Sequence, residues 1–399
     1  MEEGDDMHRE EFIERIKSIE TVDKAAMEKA AERQDSLAKP PGSLGKLEDI
    51  SVRMAGITGK VKNSIAGGCV AVFCADNGVA EENVSSAPQS VTMAQTVNFT
   101  RRLTGVGALS ESFGSQLLIV DMGIKNEIPE GLYDTAPLRD THKIVDRRIR
   151  PGTDNMAKGD AMSVEEALRC IEVGIEMAEA VSEGGYDIMG IGEMGIGNTT
   201  TSAAVLSAVT GLDSGSTCGR GGGINEDSFR RKRMIVDKVS EPYRSRGGAV
   251  EILKAIQDEK SYHETACDMM LEILARMGGF DICAMTGAFI GAACRRLPVV
   301  IDGYISVVAA LAAYVMAPAC RDYMFASHIS MEKGYLPAVE LLGLEPFLAL
   351  DMRLGEGSGC PVAFEIIRGA CDVMRNMATF EEAEINDDYL MEIRGGDCF

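Results

Sequence analysis

The chain has little positive charge for its size: 40 Lys and Arg stand against 62 Asp and Glu, a formal net charge of -22. A field of that sign repels phosphate backbones and anionic lipid, so neither nucleic acid nor a membrane surface is expected as a partner. It leaves room for a small anionic ligand, which needs only a local cluster of donors. Histidine is scarce as well. The four (His8, His142, His263 and His328) include no H-x-x-x-H pair, and the eleven cysteines are odd in number, with no C-x-x-C spacing. A zinc or redox site is therefore not expected, nor any cofactor; the cysteines read as buried, reduced thiols. The longest apolar run, Val307 to Ala319, has about 13 residues where a spanning helix takes about 20. The acidic start, Met1 to Asp6, lacks the basic and apolar regions of a signal peptide. A cytoplasmic protein is expected.

What is present is size and an ordinary globular balance. The 399 residues, 45% apolar and 26% charged, supply a sizeable core and suit one large α/β domain with an appendage, or two domains of ordinary size. Short apolar runs end in a small residue, an acid or a glycine. They are Cys69 to Cys74 before Ala75-Asp76-Asn77-Gly78, Leu117 to Val120 before Asp121-Met122-Gly123, Tyr186 to Met189 before Gly190-Ile191-Gly192-Glu193, and Val299 to Ile301 before Asp302-Gly303. Runs of this kind read as strands buried on both faces. Between them Ser163 to Ser182, Asn198 to Val209 and Glu226 to Val239 have helical periodicity. The alternation predicts a doubly wound, mostly parallel, Rossmann-like sheet (residues 46–359), with ligands outside the carboxyl ends of its strands. Helices over Glu10 to Ile19, Lys24 to Arg33 and Pro361 to Met377 predict a small helical subdomain built from both chain ends, 1–45 and 360–399.

Three segments could carry chemistry. Gly190-Ile191-Gly192-Glu193-Met194-Gly195 matches G-x-G-x-x-G after a predicted strand, which raises a dinucleotide-dependent oxidoreductase as an alternative. The acid that would hold a ribose is misplaced, because Asp213 lies 18 residues beyond Gly195 in a loop with no strand between. The next residues, Gly195 to Thr201, open a helix whose N-terminus favours an anion, with Asn198 able to cap it. Gly219-Arg220-Gly221-Gly222-Gly223 is a second glycine cluster, and Lys232 follows nine residues after Gly223 within Arg230-Arg231-Lys232-Arg233. A solvated helix face explains such a basic run, and so does a phosphorylated sugar held between two glycine loops. Last, Glu356 stands among glycines in Leu354-Gly355-Glu356-Gly357-Ser358-Gly359. It reads as a surface turn acid or as a general base that substrate approaches closely.

Lys39-Pro40-Pro41-Gly42-Ser43-Leu44-Gly45, Ala75-Asp76-Asn77-Gly78-Val79, Gly192 to Thr200, Gly219-Arg220-Gly221, Gly278-Gly279-Phe280, Arg296 to Gly303, Ala326-Ser327-His328 and Leu354 to Gly357 follow one another in order. Taken together they resemble the nicotinate-nucleotide–dimethylbenzimidazole phosphoribosyltransferase family, over roughly residues 10 to 381. The resemblance implies a homodimer in cobalamin assembly. The implied reaction would move the ribose 5-phosphate of nicotinate mononucleotide to 5,6-dimethylbenzimidazole, with anomeric inversion, giving nicotinate and α-ribazole 5'-phosphate. The resemblance also implies Glu356 as general base, Glu193 as a second carboxylate at the ribosyl centre, and Gly195, Gly197, Asn198, Thr199, Gly221, Lys232 and Ser330 around the sugar phosphate. The acceptor base would lie against Ala87, Pro88, Gln89 and Gln95. Relatives often carry Ser or Tyr where Ala87 stands, so a different base, or a phenol joined through oxygen, stays open as the acceptor. No role attaches to residues 258–268 or to the tail from Glu384 to Phe399.

Overall fold

A computed structural model of the chain describes residues 9–245, 254, 264–386 and 388–390. His8, His263, positions 258–263 and the tail from 391 onward lie outside the described residues. The strands are β1 (Gly68–Ala75), β2 (Gln116–Gly123), β3 (Tyr133–Asp134), β4 (Ile144–Asp146), β5 (Ile188–Met194), β6 (Val299–Ile301) and β7 (Met324–Ala326). They form one seven-stranded sheet in the order β3-β4-β2-β1-β5-β6-β7. Every pairing is parallel. All eight residues of β1 are buried, which is why the run reads as continuously apolar. From β1 the chain first winds to the β2 side and later returns to place β5 on the other flank. The crevice where strand order reverses therefore lies past the carboxyl ends of β1 and β5.

Helices cover both faces. Phe280–Cys294 packs on β1, β2 and β5 and is itself covered by Val164–Glu183, while Gly359–Asn376 packs on β1, β5 and β6 from the opposite face. Two of the predicted helices begin where their capping chemistry says; the helix Asn198–Thr210 does not, since Gly197 holds the cap position without a side-chain bond and the Asn198 amide donates to Glu193 and Asp281 instead. Ser163 and Glu166 form a reciprocal capping box, and Asn225 accepts from the Ser228 amide to start Glu226–Arg244. Lys24–Ser36, Lys46–Thr58 and Gly359–Asn376 pack on one another, with Ala26, Ala30, Ala55 and Met374 in a small apolar cluster apart from the main core. The helix Arg9–Lys17 lies elsewhere, against Phe280–Cys294. No described helix is long and apolar enough to cross a membrane.

Two strands run well past their expected ends, β2 continuing through Asp121-Met122-Gly123. The strand predicted over Tyr186 to Met189 begins later and continues through Gly190-Ile191-Gly192-Glu193, which the pattern placed in a turn. The reason is packing. A β-carbon on Gly190 would stand 2.5 Å from the Cβ of Cys360, and one on Gly192 2.3 Å from the carbonyl oxygen of Glu356. These glycines make room for the segment crossing the sheet and do not form a dinucleotide loop, so the fingerprint that raised the oxidoreductase alternative has no structural counterpart. The two- and three-residue strands β3, β4 and β7 had no recognisable sequence signal.

Candidate active site

Past β5 the chain turns at Gly195 and Gly197 into the helix Asn198–Thr210. Gly195 lies so close to β1 that a β-carbon would be 2.4 Å from the Ala75 carbonyl oxygen, and Gly197 has φ +100°. The turn delivers the positive end of the helix into the crevice. Of the four consecutive basic residues only Lys232 points inward, because the helical phase of Glu226–Arg244 turns Arg230, Arg231 and Arg233 outward. Lys232 is fully buried, has no carboxylate in salt-bridge contact among the described residues, and donates from Nζ to Thr199 Oγ1 at 2.8 Å. Burial pushes its pKa below the ordinary lysine value, with the fields of Cys218 and Glu332 opposing.

Glu193, at the end of β5, is buried beneath the crevice. Its Oε2 accepts from the Asn198 side-chain amide, which also donates to Asp281 Oδ2 at 3.2 Å, so one amide is shared by two acids. Burial and then the neighbouring Asp281 push the Glu193 carboxyl up to about 8, and burial takes Asp281 to about 6.

Glu356 sits on a sharp elbow. Gly355, Glu356 and Gly357 have φ +84°, +64° and +87°, three left-handed residues in a row, of which the middle one carries a side chain. That conformation costs a non-glycine residue about 1–2 kcal/mol, and strain of this kind at a buried acid makes the position a candidate for function. The carboxylate accepts from Gln95 Nε2 at 3.4 Å and from the Val106 amide at 3.2 Å, and burial raises its pKa. Beneath the elbow Asp302, at the end of β6, accepts from the amides of Gly357 (3.0 Å) and Gly359 (2.7 Å). Burial takes Asp302 to about 7. His328 is held nearby, its Nδ1 3.0 Å from Ser327 Oγ and 3.9 Å from Asp302 Oδ1; burial lowers it to about 4, so the ring is neutral.

These groups face one cavity of about 360 Å³, within the size range of small-molecule sites. Glu356, Glu193, Gly195, Gly197, Asn198, Thr199, Gly221, Ser330, Ala87 and Gln95 all line it. Lys232 stands one side chain back, behind Thr199. Pro88 and Gln89 are not on the wall: the Gln89 side chain turns away to donate to the Asn77 carbonyl at 3.1 Å, at the start of the helix Ser90–Thr100. Asp302, His328, Glu332 and Arg353 line the cavity and escaped the sequence reading of the site, as did Asp281 behind it. Asp302 carried the same signal as Glu193, an acid ending an apolar strand; Asp281 carried none. The cavity thus has an anion-binding end at the Asn198 helix and a basic carboxylate on the elbow, over a floor of acids suited to a cationic ring or sugar.

A second cleft of about 440 Å³ lies beside β7. Its cations are engaged within the fold: Lys46 with Glu345, Arg321 with Asp322 and two carbonyls, and Arg53 with the Met324 carbonyl and the Phe325 ring. Among the described residues no three His, Cys, Asp or Glu are grouped to hold a metal ion.

Comparison with known proteins agrees with this geometry. A phosphoribosyltransferase family model matches residues 19–385. The chain is 47% identical over 385 residues to the nicotinate-nucleotide–dimethylbenzimidazole phosphoribosyltransferase of Clostridium perfringens, covering 96% of this chain and 98% of the relative. It is 41% identical to the enzyme of that name from Clostridium tetani over 382 residues, 96% of this chain and 97% of that one. The crystal structure of CobT from Thermus thermophilus superposes with a TM-score of 0.80 at 35% identity, covering 91% of this chain and 99% of that one.

Proposed function

Because the chain belongs to the nicotinate-nucleotide–dimethylbenzimidazole phosphoribosyltransferase family, we propose that it transfers the ribose 5-phosphate of nicotinate mononucleotide to 5,6-dimethylbenzimidazole or a related base, in the synthesis of the cobalamin lower ligand. The observation that carries this reading is that Glu356 faces the same cavity as the N-terminus of the Asn198 helix. The phosphate would lie on that N-terminus and on Gly221 and Ser330, with Lys232 supplying charge through Thr199. Glu356 would meet the acceptor at Ala87 and Gln95.

In the reaction one ring nitrogen of the base attacks C1' of the ribose from the face opposite nicotinate, inverting the anomeric carbon. The C1'–N bond to nicotinate breaks, and its electron pair returns to the pyridinium nitrogen, which makes nicotinate a good leaving group. The proton on the other ring nitrogen passes to Glu356. Burial suits Glu356 to this task, since a carboxylate raised toward neutrality takes a proton more readily. Glu193 stands where the ribosyl centre would lie. The arriving pyridinium cation favours its ionised form, and the carboxylate then stabilises the positive charge that develops on the sugar.

The enzyme would work in the cytoplasm as a homodimer, as family membership implies. The test is nicotinate release from the mononucleotide with a panel of bases offered together, products identified by mass spectrometry. An α-ribotide confirms the reading and ranks the acceptors. Turnover with phenols alone would make oxygen the nucleophile, and release with no acceptor would remove the transferase reading.

A further inference from the structure

The elbow that carries Glu356 is held from below by acids. The Glu356 amide donates to Glu193 Oε1 at 3.4 Å, the Gly357 amide to Asp302 Oδ2 at 3.0 Å and the Gly359 amide to Asp302 Oδ1 at 2.7 Å. Both Asp302 oxygens are thereby engaged by the backbone, at the last of three left-handed residues and two positions beyond it. Asp302 is itself fixed: its amide donates to Ser306 Oγ at 3.2 Å, and its carbonyl accepts from Ser327 Oγ at 3.1 Å. The facing groups leave it little freedom. The His328 ring lies 3.9 Å from its Oδ1, and a β-carbon on Gly359 would stand 2.3 Å from His328 Nδ1.

From this geometry we infer that Asp302 is a positioning residue for the transfer reaction, clamping the Gly357 and Gly359 amides so that the Glu356 carboxylate stays aimed at the acceptor. The inference deepens the proposed function and rests on Glu356 being the base. An acid in this place does what a neutral side chain cannot. Two convergent N–H groups need two acceptor oxygens, and an asparagine would point its NH2 at one of them. A left-handed turn without its clamp relaxes toward ordinary backbone angles, and misplacing a catalytic group by about 1 Å can cost about 10²-fold in rate.

The experiment is a double-mutant cycle on nicotinate release with D302N, E356Q and the double variant. Asp302→Asn alone should lower kcat by about 10- to 100-fold with the KM for the mononucleotide within about threefold. In the Glu356→Gln background the same change should cost less than about threefold, because the group it aims is already gone. Losses that multiply in full, or a D302N effect confined to KM, overturn the inference. If D302N does not fold, amide exchange on the unmodified chain decides. Gly357 and Gly359 should be strongly protected at pH 8, and rapid exchange at both overturns the clamp. That measurement needs no turnover, so an enzyme that releases no nicotinate would fail the proposed function while leaving the clamp to be read separately.

Discussion

The carbonyl oxygen of Glu356 lies 2.3 Å from where a β-carbon on Gly192 would be. The Glu356 elbow is seated on the bare backbone of β5, so the strand sets the height of that carboxylate above the floor acids. A residue that looked like part of a nucleotide loop is a bearing surface.

Gly192→Ala should therefore lift the elbow. Overpacking of this kind typically costs about 1–3 kcal/mol, and turnover should fall by a larger factor than the stability loss alone explains. Thermal unfolding and kcat measured together check this; a variant with normal turnover would remove the seat from the mechanism.

Glu356→Gln keeps the volume and removes the proton acceptor. Turnover should drop by about 10² or more, the usual range for a lost general base, while the melting temperature holds or rises. Near-normal nicotinate release by this variant would leave Glu356 without a chemical role.

Lys232→Met exchanges a buried cation for an apolar side chain of similar reach. The KM for the mononucleotide should rise by about 10-fold, the equivalent of about 1.4 kcal/mol of lost electrostatic support relayed through Thr199, with the constant for the base little changed. Stability should not fall, since a buried charge without a carboxylate partner is removed. Equal effects on both substrates would exclude a phosphate role.

The floor acids give the ligand-free enzyme a pH dependence. Glu193 is held up near 8 and Asp302 near 7, against about 4 for free carboxyl groups. The folded chain thus keeps protons that the unfolded chain releases, so the stability tied to them is present at low pH and lost as pH rises toward about 8. The melting temperature should decline between pH 6 and pH 8.5 by differential scanning calorimetry. Glu193→Gln should flatten that slope; an unaltered slope would contradict the assignment of Glu193.

Features set by local chemistry were legible in the sequence. The anion loop could be read because glycines followed by Asn198 at a helix start have few other uses, and Glu356 because an acid among glycines has little packing to justify it. Lys232 was visible only as one of four, since the phase of its helix against the sheet decides which of them is buried. Asp281 gave no local sign, because its importance arises from an amide it shares with an acid on another element. Gly190 and Gly192 were misplaced for the converse reason: what they accommodate lies more than 160 positions further along the chain.

That separation orders events during synthesis. Glu356 meets Glu193 across 163 positions and Val106 across 250. A chain emerging from the ribosome therefore has β1 to β5 and the helix at the phosphate end available long before the elbow arrives. Contacts of such long range form late and slowly. The cavity is therefore completed only when the segment carrying Glu356, which follows β6 and β7, reaches its seat on β5.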